Sequence, residues 1–314
     1  MSSRPRWPST TGTSRSTRKP RPRRAARRPI ADDHGERGGL SPDPLRRLAV
    51  LGHPVSHSRS PAMQNAALAA AGLTGWEYEA IDVEPGQFRG LVRKLPELGF
   101  VGVNVTVPHK EAALEIADEA SVAAEAIGAA NTLSFRDGMV LAENTDAPGL
   151  IDALADAAAG ADRRRALVLG AGGAGRAVVW GLARDGYEVM LWNRTRSRAE
   201  ALAAELGVEA IPSDQHAAID PGPFEVIVNA SAAGLGGGDG LAELPLDPGG
   251  FHAGQTVVDM VYGETEGTLV ATARQDGAAT IDGLEILVRQ GARSFEIWTG
   301  KSPDLGVMRR AARA

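Results

Sequence analysis

The chain has 314 residues, 43% of them hydrophobic and 23% charged. That length holds two domains of ordinary size, and the apolar share excludes a chain disordered throughout. The absence of cysteine excludes disulfides, thiolate catalysis and cysteine-ligated metal.

No metal site is expected, and a cysteine-free chain fits a reducing cytoplasm, which is the expected location. No apolar run reaches the roughly 18 residues of a membrane span, so no membrane partner is expected. The net charge of −5 hides a polarity: residues 1–28 carry ten basic side chains and no acid. Residues 1–47 balance at +9 and the rest at −14. The start therefore reads as a basic, low-complexity, disordered tail over 1–44. The acidic body argues against nucleic acid as the main partner, and no residue pattern specifies an oligomer, so a homodimer stays open.

The folded part begins near Leu45. "RRLAVLG" (46–52) is a short apolar run ending in glycine, a buried-strand signal. "SPAMQNAALAAAG" (60–72) reads as a helix with Ser60 as N-cap, Pro61 in the first turn and Gly72 as C-cap. "WEYEAIDV" (76–83) alternates as a strand, and 86–99 is helical with an interruption at Pro96. "FVGVNVTV" (100–107) is a strand, 110–128 reads as one helix, and 131–146 as a hairpin turning at Asp137-Gly138.

A second alternation follows a helix at about 148–160. It runs strand, glycine turn and helix over 164–186, a strand over 188–195 and a helix over 197–206. Strands at 224–231 and 256–262, a helix near 265–276 and a strand at 279–283 complete it. The stretch 284–300 has apolar residues at helical spacing and is placed to pack back on the first domain. Strand–helix alternation of this kind gives α/β sheets. The expected fold class is an open α/β substrate-binding and catalytic domain over 45–147, completed by 284–314, with a Rossmann-type domain over 148–283 between the two pieces.

Gly170-Ala171-Gly172-Gly173-Ala174-Gly175 satisfies GxGxxG between an apolar strand and a helix. Glycines there allow a tight turn and close approach of the backbone to a pyrophosphate, and the helix N-terminus supplies N–H donors. An NAD site wants an acid about 20 residues further on. Here the second strand ends in "WNRTRSR" instead. Asn193, Arg194, Thr195 and Arg198 suit a 2′-phosphate, so NADP(H) is the expected cofactor.

Only four of the 34 basic residues are lysine, and one of them, Lys110, ends "NVTVPHK". Guanidinium does not deprotonate, whereas a lysine can pass a proton. Thr106 and Lys110 lie at a strand end, where ligands of open α/β sheets bind. Asn131 in "GAANT" and Asp146 in "ENTD" bring an amide and a carboxylate from later turns. A lysine beside an aspartate stays charged and oriented, ready to protonate a developing alkoxide. Ser58 and Ser60, between a strand and a helix, suit a carboxylate.

The segments "GHPVSHSRSP", "NVTVPHK", "GAANT", "ENTDAPG", "GAGGAGR", "NRTRSR", "DMVYG" and "GLEILVRQGARSFEIW" occur in one order. Together they resemble the shikimate dehydrogenase family over about 46–310. The resemblance implies NADPH-dependent reduction of 3-dehydroshikimate to shikimate, in aromatic amino-acid (chorismate) biosynthesis. It places the substrate carboxylate at Ser58 and Ser60 with Thr106 nearby, and the ring hydroxyls at Lys110, Asn131, Asp146 and Gln290. Tyr262 matches a substrate-contacting tyrosine. Gly170 to Ala174 and the 193–198 segment match NADP contacts, and Met260 and Gly283 match positions on the nicotinamide side.

The chain departs from the family pattern in places. "GETEGT" follows Tyr262, Glu285 and Leu287 stand where "GLGML" is usual, Val122 replaces a frequent acid and Gln64 a frequent histidine. Rival readings are a quinate/shikimate dehydrogenase using NAD, and a non-catalytic NADP-binding sensor on the same fold. A third is a nucleic-acid partner working through the tail.

Overall fold

The computed structural model describes residues 45–157, 164–212, 218–263 and 266–314. The expected basic tail over 1–44 lies outside the described residues, as do the end of the helix expected to 160 and the start of the one expected at 265.

The first sheet has the order β2-β1-β3-β5-β6-β4. Its strands are β1 (Arg46–Gly52), β2 (Trp76–Asp82), β3 (Phe100–Val105), β4 (Glu119–Ala120), β5 (Thr132–Arg136) and β6 (Met139–Glu143). β1 runs parallel to β2 and β3, while β5 is antiparallel to β3 and β6. A central parallel strand is covered on both faces and so reads as an unbroken apolar run. Leu48, Ala49, Val50 and Leu51 are accordingly all buried.

Ala49 and Leu51 face Phe88 and Val92 of α2 (Phe88–Lys94). Leu48 and Val50 face Met63 and Ala67 of α1 (Ser60–Ala70), with Phe295 and Trp298 from far along the chain. The hairpin turns where expected, with Asp137 and Gly138 both at positive φ, as a two-residue hairpin loop requires.

Two expectations need correction. Ser60 is the first residue of α1 and not its cap; Arg59 precedes it, and the Ser58 hydroxyl accepts the Ser60 N–H at 3.3 Å. The single helix expected over 110–128 is two: α3 (Lys110–Ile116) and α4 (Val122–Ile127), with β4 between them. The chain turns extended at Ala117, and Asp118 exchanges hydrogen bonds with the Val140 backbone, so that β4 pairs with β6. Tertiary pairing outweighs helix propensity there, and the Ser121 hydroxyl restarts the helix by accepting the Ala124 N–H. Val122, the residue in place of a frequent acid, opens α4 at the surface.

The second sheet is parallel throughout, in the order β9-β8-β7-β10-β11-β12. Its strands are β7 (Arg165–Leu169), β8 (Glu188–Trp192), β9 (Glu209–Ala210), β10 (Val226–Asn229), β11 (Thr256–Asp259) and β12 (Ala279–Ile281). This is the doubly wound dinucleotide-binding order, with its switch point between β7 and β10. Helices α6 (Gly173–Arg184), α7 (Arg196–Leu206) and α8 (Thr268–Gln275) connect the strands.

Helix α5 (Asp146–Ala157) leaves the first sheet, and α9 (Gly283–Thr299) returns to it. They cross closely: a Cβ on Gly149 would lie 2.8 Å from the Gln290 nitrogen. A last helix, α10 (Leu305–Arg313), packs on α1 and α9. Glu285, named above as a departure from the expected pattern, accepts from Arg289 at 2.7 Å and from Arg309 of α10 at 2.7 and 2.8 Å. The Arg309 guanidinium, helped by Arg289, holds its carboxyl down at about 2. Arg289 also pairs with Asp156, tying α5, α9 and α10 together.

Candidate active site

Lys110 opens α3 just after the Val107–Pro108 bond. His109 before it is buried: its ring stacks on Phe88 and meets the Val83 carbonyl at 2.7 Å, which pins the loop. Asp146 opens α5, where Asn144 accepts the Asp146 and Ala147 N–H groups at 3.1 and 3.3 Å. The carboxylate of Asp146 thus sits in the first turn of a helix, a favourable place for a negative charge.

The Lys110 Nζ donates to Asp146 Oδ2 at 2.6 Å, with side-chain exposures of 12% and 6%. Asn131 donates from Nδ2 to Asp146 Oδ1 at 2.9 Å, to Thr145 Oγ1 at 2.9 Å and to Gln290 Oε1 at 3.2 Å. Four of the expected residues, from α3, the position just before β5, α5 and α9, therefore meet at one point.

Sequence reasoning missed what lies beneath them. Asn104 Nδ2 donates to Ser294 Oγ at 2.9 Å, Ser294 meets Thr132 at 2.8 Å, and the Tyr78 hydroxyl donates to Asn104 Oδ1 at 2.8 Å. This buried polar ladder fixes Asn131 from behind. Its signal in the sequence is Asn104, a polar side chain inside the apolar run "FVGVNV". Burial pushes the Tyr78 phenol well up, against hydrogen bonding with the Ser60 side chain, so the ladder reaches the serine patch.

Tyr262, from beyond β11, comes to the same patch. Burial pushes its phenol up, against hydrogen bonding with the Ser58 side chain and the Arg59 backbone. Thr106 follows β3, close against Gly52. Gln64, in place of the frequent histidine, is buried and donates to the Gly291 carbonyl at 3.0 Å. It thus fastens α1 to α9.

On the second sheet, Gly170 follows β7 at φ 118, and a Cβ there would lie 2.7 Å from the Ala230 oxygen at the end of β10. Only glycine fits that crossing of two strand ends. Ala171 N–H donates to Asn193 Oδ1 at 3.1 Å, which holds the turn to the end of β8. A Cβ on Gly172 would meet nothing within 4 Å, so the turn is open there. Gly173 and Ala174 begin α6, whose first amides have no intrahelical acceptor.

Gly283 lies against the Met260 and Val261 carbonyls. Arg194, Thr195 and Arg198 stay exposed. Among the described residues Arg194 and Arg198 form no ion pair, whereas Arg196 pairs with Glu200 at 2.7 Å. An open glycine turn with two uncommitted arginines and no acid beside it fits a phosphorylated dinucleotide.

The two halves touch at the site. A Cβ added to Gly173 would lie 3.0 Å from Lys110 Cβ and 3.3 Å from its Cδ. The lysine stem therefore lies directly on the glycine turn.

Asp259 ends β11 nearby and is buried. Burial pushes its carboxyl up from 3.8 to about 6, despite hydrogen bonds from Val261 N–H and Asn229 Nδ2. A carboxyl whose folded pKa is raised loses stability as pH climbs from about 4 through 6, because the folded form must give up its proton. Asparagine at 259 keeps the Oδ1 acceptor without that cost. The unfolding midpoint of Asp259→Asn is therefore expected to gain on the unsubstituted protein between pH 4 and pH 7, then run level. Thermal unfolding across that range checks it, and a constant difference contradicts it.

A doubly wound dinucleotide sheet whose glycine turn meets a lysine–carboxylate pair is the build of a two-domain nicotinamide dehydrogenase. Comparison with known proteins narrows the class. Residues 50–133 match the family described as the shikimate dehydrogenase substrate binding domain. Residues 153–233 match shikimate / quinate 5-dehydrogenase, and 283–313 the shikimate 5′-dehydrogenase C-terminal domain.

The shikimate dehydrogenase (NADP(+)) of Symbiobacterium thermophilum is 41% identical over 288 residues, covering 89% of this chain and 97% of that protein. Its counterpart in Methylobacterium radiotolerans is 45% identical over 266 residues, covering 82% and 92%. The crystal structure of shikimate 5-dehydrogenase from Thermus thermophilus, in complex with NADP(H) and shikimate, superposes with a TM-score of 0.77. It is 41% identical and covers 85% of this chain and 98% of that one. The chain belongs to the shikimate dehydrogenase family.

Proposed function

We propose that this protein is an NADPH-dependent shikimate dehydrogenase, which reversibly reduces 3-dehydroshikimate to shikimate. The observation that carries this is the Lys110–Asp146 contact of 2.6 Å, seated on the glycine turn at Gly173. The glycine turn from Gly170 to Ala174, which runs into α6, holds the pyrophosphate with Asn193. Arg194, Thr195 and Arg198 hold the 2′-phosphate, and Met260 and Gly283 line the nicotinamide side.

When bound, the reduced cofactor supplies the hydride for the ring carbonyl carbon. Lys110 gives its proton to the carbonyl oxygen as negative charge grows there. Asp146 keeps the ammonium aimed, and accepts from a ring hydroxyl. Asn131 and Gln290 fix the other hydroxyls. Ser58 and Ser60, with Thr106, take the carboxylate, and Tyr262 covers it from the cofactor half. Every group assigned comes from one chain, so the reading needs no second subunit. The buried ladder leaves the amide and carboxylate little freedom, which keeps the geometry ready before substrate arrives.

Among the described residues no helix is long and apolar enough to cross a membrane. With a cysteine-free sequence, this supports a cytoplasmic place of work. The test is cofactor reduction followed by nicotinamide absorbance, with shikimate and quinate each offered with NADP⁺ and NAD⁺. Turnover of shikimate with NADP⁺ well above the other three pairs is the expected result. Equal turnover of quinate with NAD⁺ would move the protein to the quinate branch, and cofactor binding without turnover would make it a sensor.

A further inference from the structure

One stripe of α6 forms part of the contact between the halves. Gly173, Arg176, Ala177, Trp180 and Gly181 recur at three- and four-residue steps and so share a face. Gly173 touches the stem of Lys110. Ala177 packs with Ile127, Ala129 and Ala147, with Trp180 against them. A Cβ on Gly181 would lie 3.4 Å from that of Ala147, next to Asp146. The helix that begins with the dinucleotide turn thus touches the segments carrying Lys110, Asn131 and Asp146.

Arg176 is the polar member of the stripe. Its Nε donates to the Ile127 carbonyl at 2.5 Å, in the last turn of α4. A cation is favoured there by the helix dipole. Its guanidinium lies where a side chain on Gly128 would be, since a Cβ there would clash with Arg176 Nη2. Arg176 also pairs with Glu205 of α7, so the side chain is held from both ends. From Gly128 the chain runs three residues to Asn131, whose amide bonds Asp146. Within one turn on the other side, the Arg176 N–H donates to the Gly172 carbonyl in the glycine turn.

We propose that Arg176 is a positioning residue that couples occupancy of the dinucleotide turn to the placement of Asn131, Asp146 and Lys110, so that cofactor and substrate each tighten the other's binding. The proposal rests on the dehydrogenase reading above and adds to it a linkage carried by a side chain that touches neither ligand. A helix is stiff over its length, so a small adjustment at its N-terminus reaches the α4 terminus only where something grips it. Arg176 is the hydrogen-bonded part of that grip, beside the packing of Ala177 on Ile127. Linkage is reciprocal: whatever factor NADPH adds to shikimate affinity, shikimate adds to NADPH affinity.

The test uses the full chain with NADPH and shikimate, a pair that binds without reacting. NADPH fluorescence titrations with and without saturating shikimate give the coupling factor as a ratio of Kd values. For the unsubstituted protein a factor within about 5–150 is expected, the usual range for linked sites. In Arg176→Ala the factor falls to about 1, while the Kd of NADPH alone changes less than about threefold. Arg176→Lys keeps the charge but lacks the planar fork, so its factor falls as well.

Where the alanine variant does not fold, the lysine variant carries the test. A variant with the original factor overturns the proposal, as does a factor of 1 in the unsubstituted protein. Loss of NADPH affinity in shikimate's absence would mark Arg176 as part of the cofactor site and also overturn it. Should the unsubstituted protein fail to oxidise shikimate, the functional reading fails first, and the two failures are told apart by that control.

Discussion

Replacing Lys110 with alanine is expected to lower kcat by about 10²–10⁴, the usual contribution of a positioned acid or base. NADPH affinity should change little, because Lys110 meets the glycine turn only through its stem. Truncation also strands Asp146, whose side chain is 6% exposed and would keep Asn131 as its partner in this group. A buried carboxylate that loses its cation is destabilising, so a lower unfolding midpoint is expected as well. Lys110→Arg separates the two effects. It restores a cation beside Asp146 and much of the midpoint, but guanidinium cannot take part in proton transfer at these pH values. Turnover by the arginine variant should therefore stay within about tenfold of the alanine variant. Steady-state kinetics and thermal unfolding on both variants check this; full turnover by either removes Lys110 from the chemistry.

The second large effect concerns the cofactor. Substituting Arg194 and Arg198 together with alanine is expected to raise the KM for NADPH by about 10- to 100-fold, since a hydrogen bond to a charged group contributes about 1.5–3 kcal/mol. The KM for NADH should move less than about threefold, because that cofactor lacks the 2′-phosphate proposed to meet the arginines. Both side chains are exposed and sit at the start of α7, away from the core, so the fold should tolerate the change. The preference between the two cofactors, measured as a ratio of kcat/KM, is the quantity to follow. A double variant with an unchanged ratio would mean that the 2′-phosphate is read elsewhere.

The residues themselves carried much of this reading. Apolar runs marked the central strands, glycine turns marked the second sheet, and the missing acid after β8 pointed to NADP. The choice of lysine at 110 in an arginine-rich chain pointed to proton transfer. Other features depended on partners distant in sequence. The break between α3 and α4 follows from Asp118 binding the hairpin, which helical periodicity does not register. Ser294 and Thr132 meet across 162 positions, and no local pattern records such a pair. Glu285 looked like a departure from the family, yet two arginines meet it, one of them from a helix that sequence reading did not delimit.

The sequence by itself determined the class of sheet and the kind of cofactor, and it put Lys110 forward as the proton-bearing group, because each reading is written in the residue types of one short segment. Only the tertiary structure decided that Lys110, Asn131, Asp146 and Gln290 converge, and that α6 presses one face against the segments that carry the first three. Convergence depends on how helices and sheets pack against one another. Packing is set by side-chain volume and buried hydrogen bonds between segments far apart along the chain.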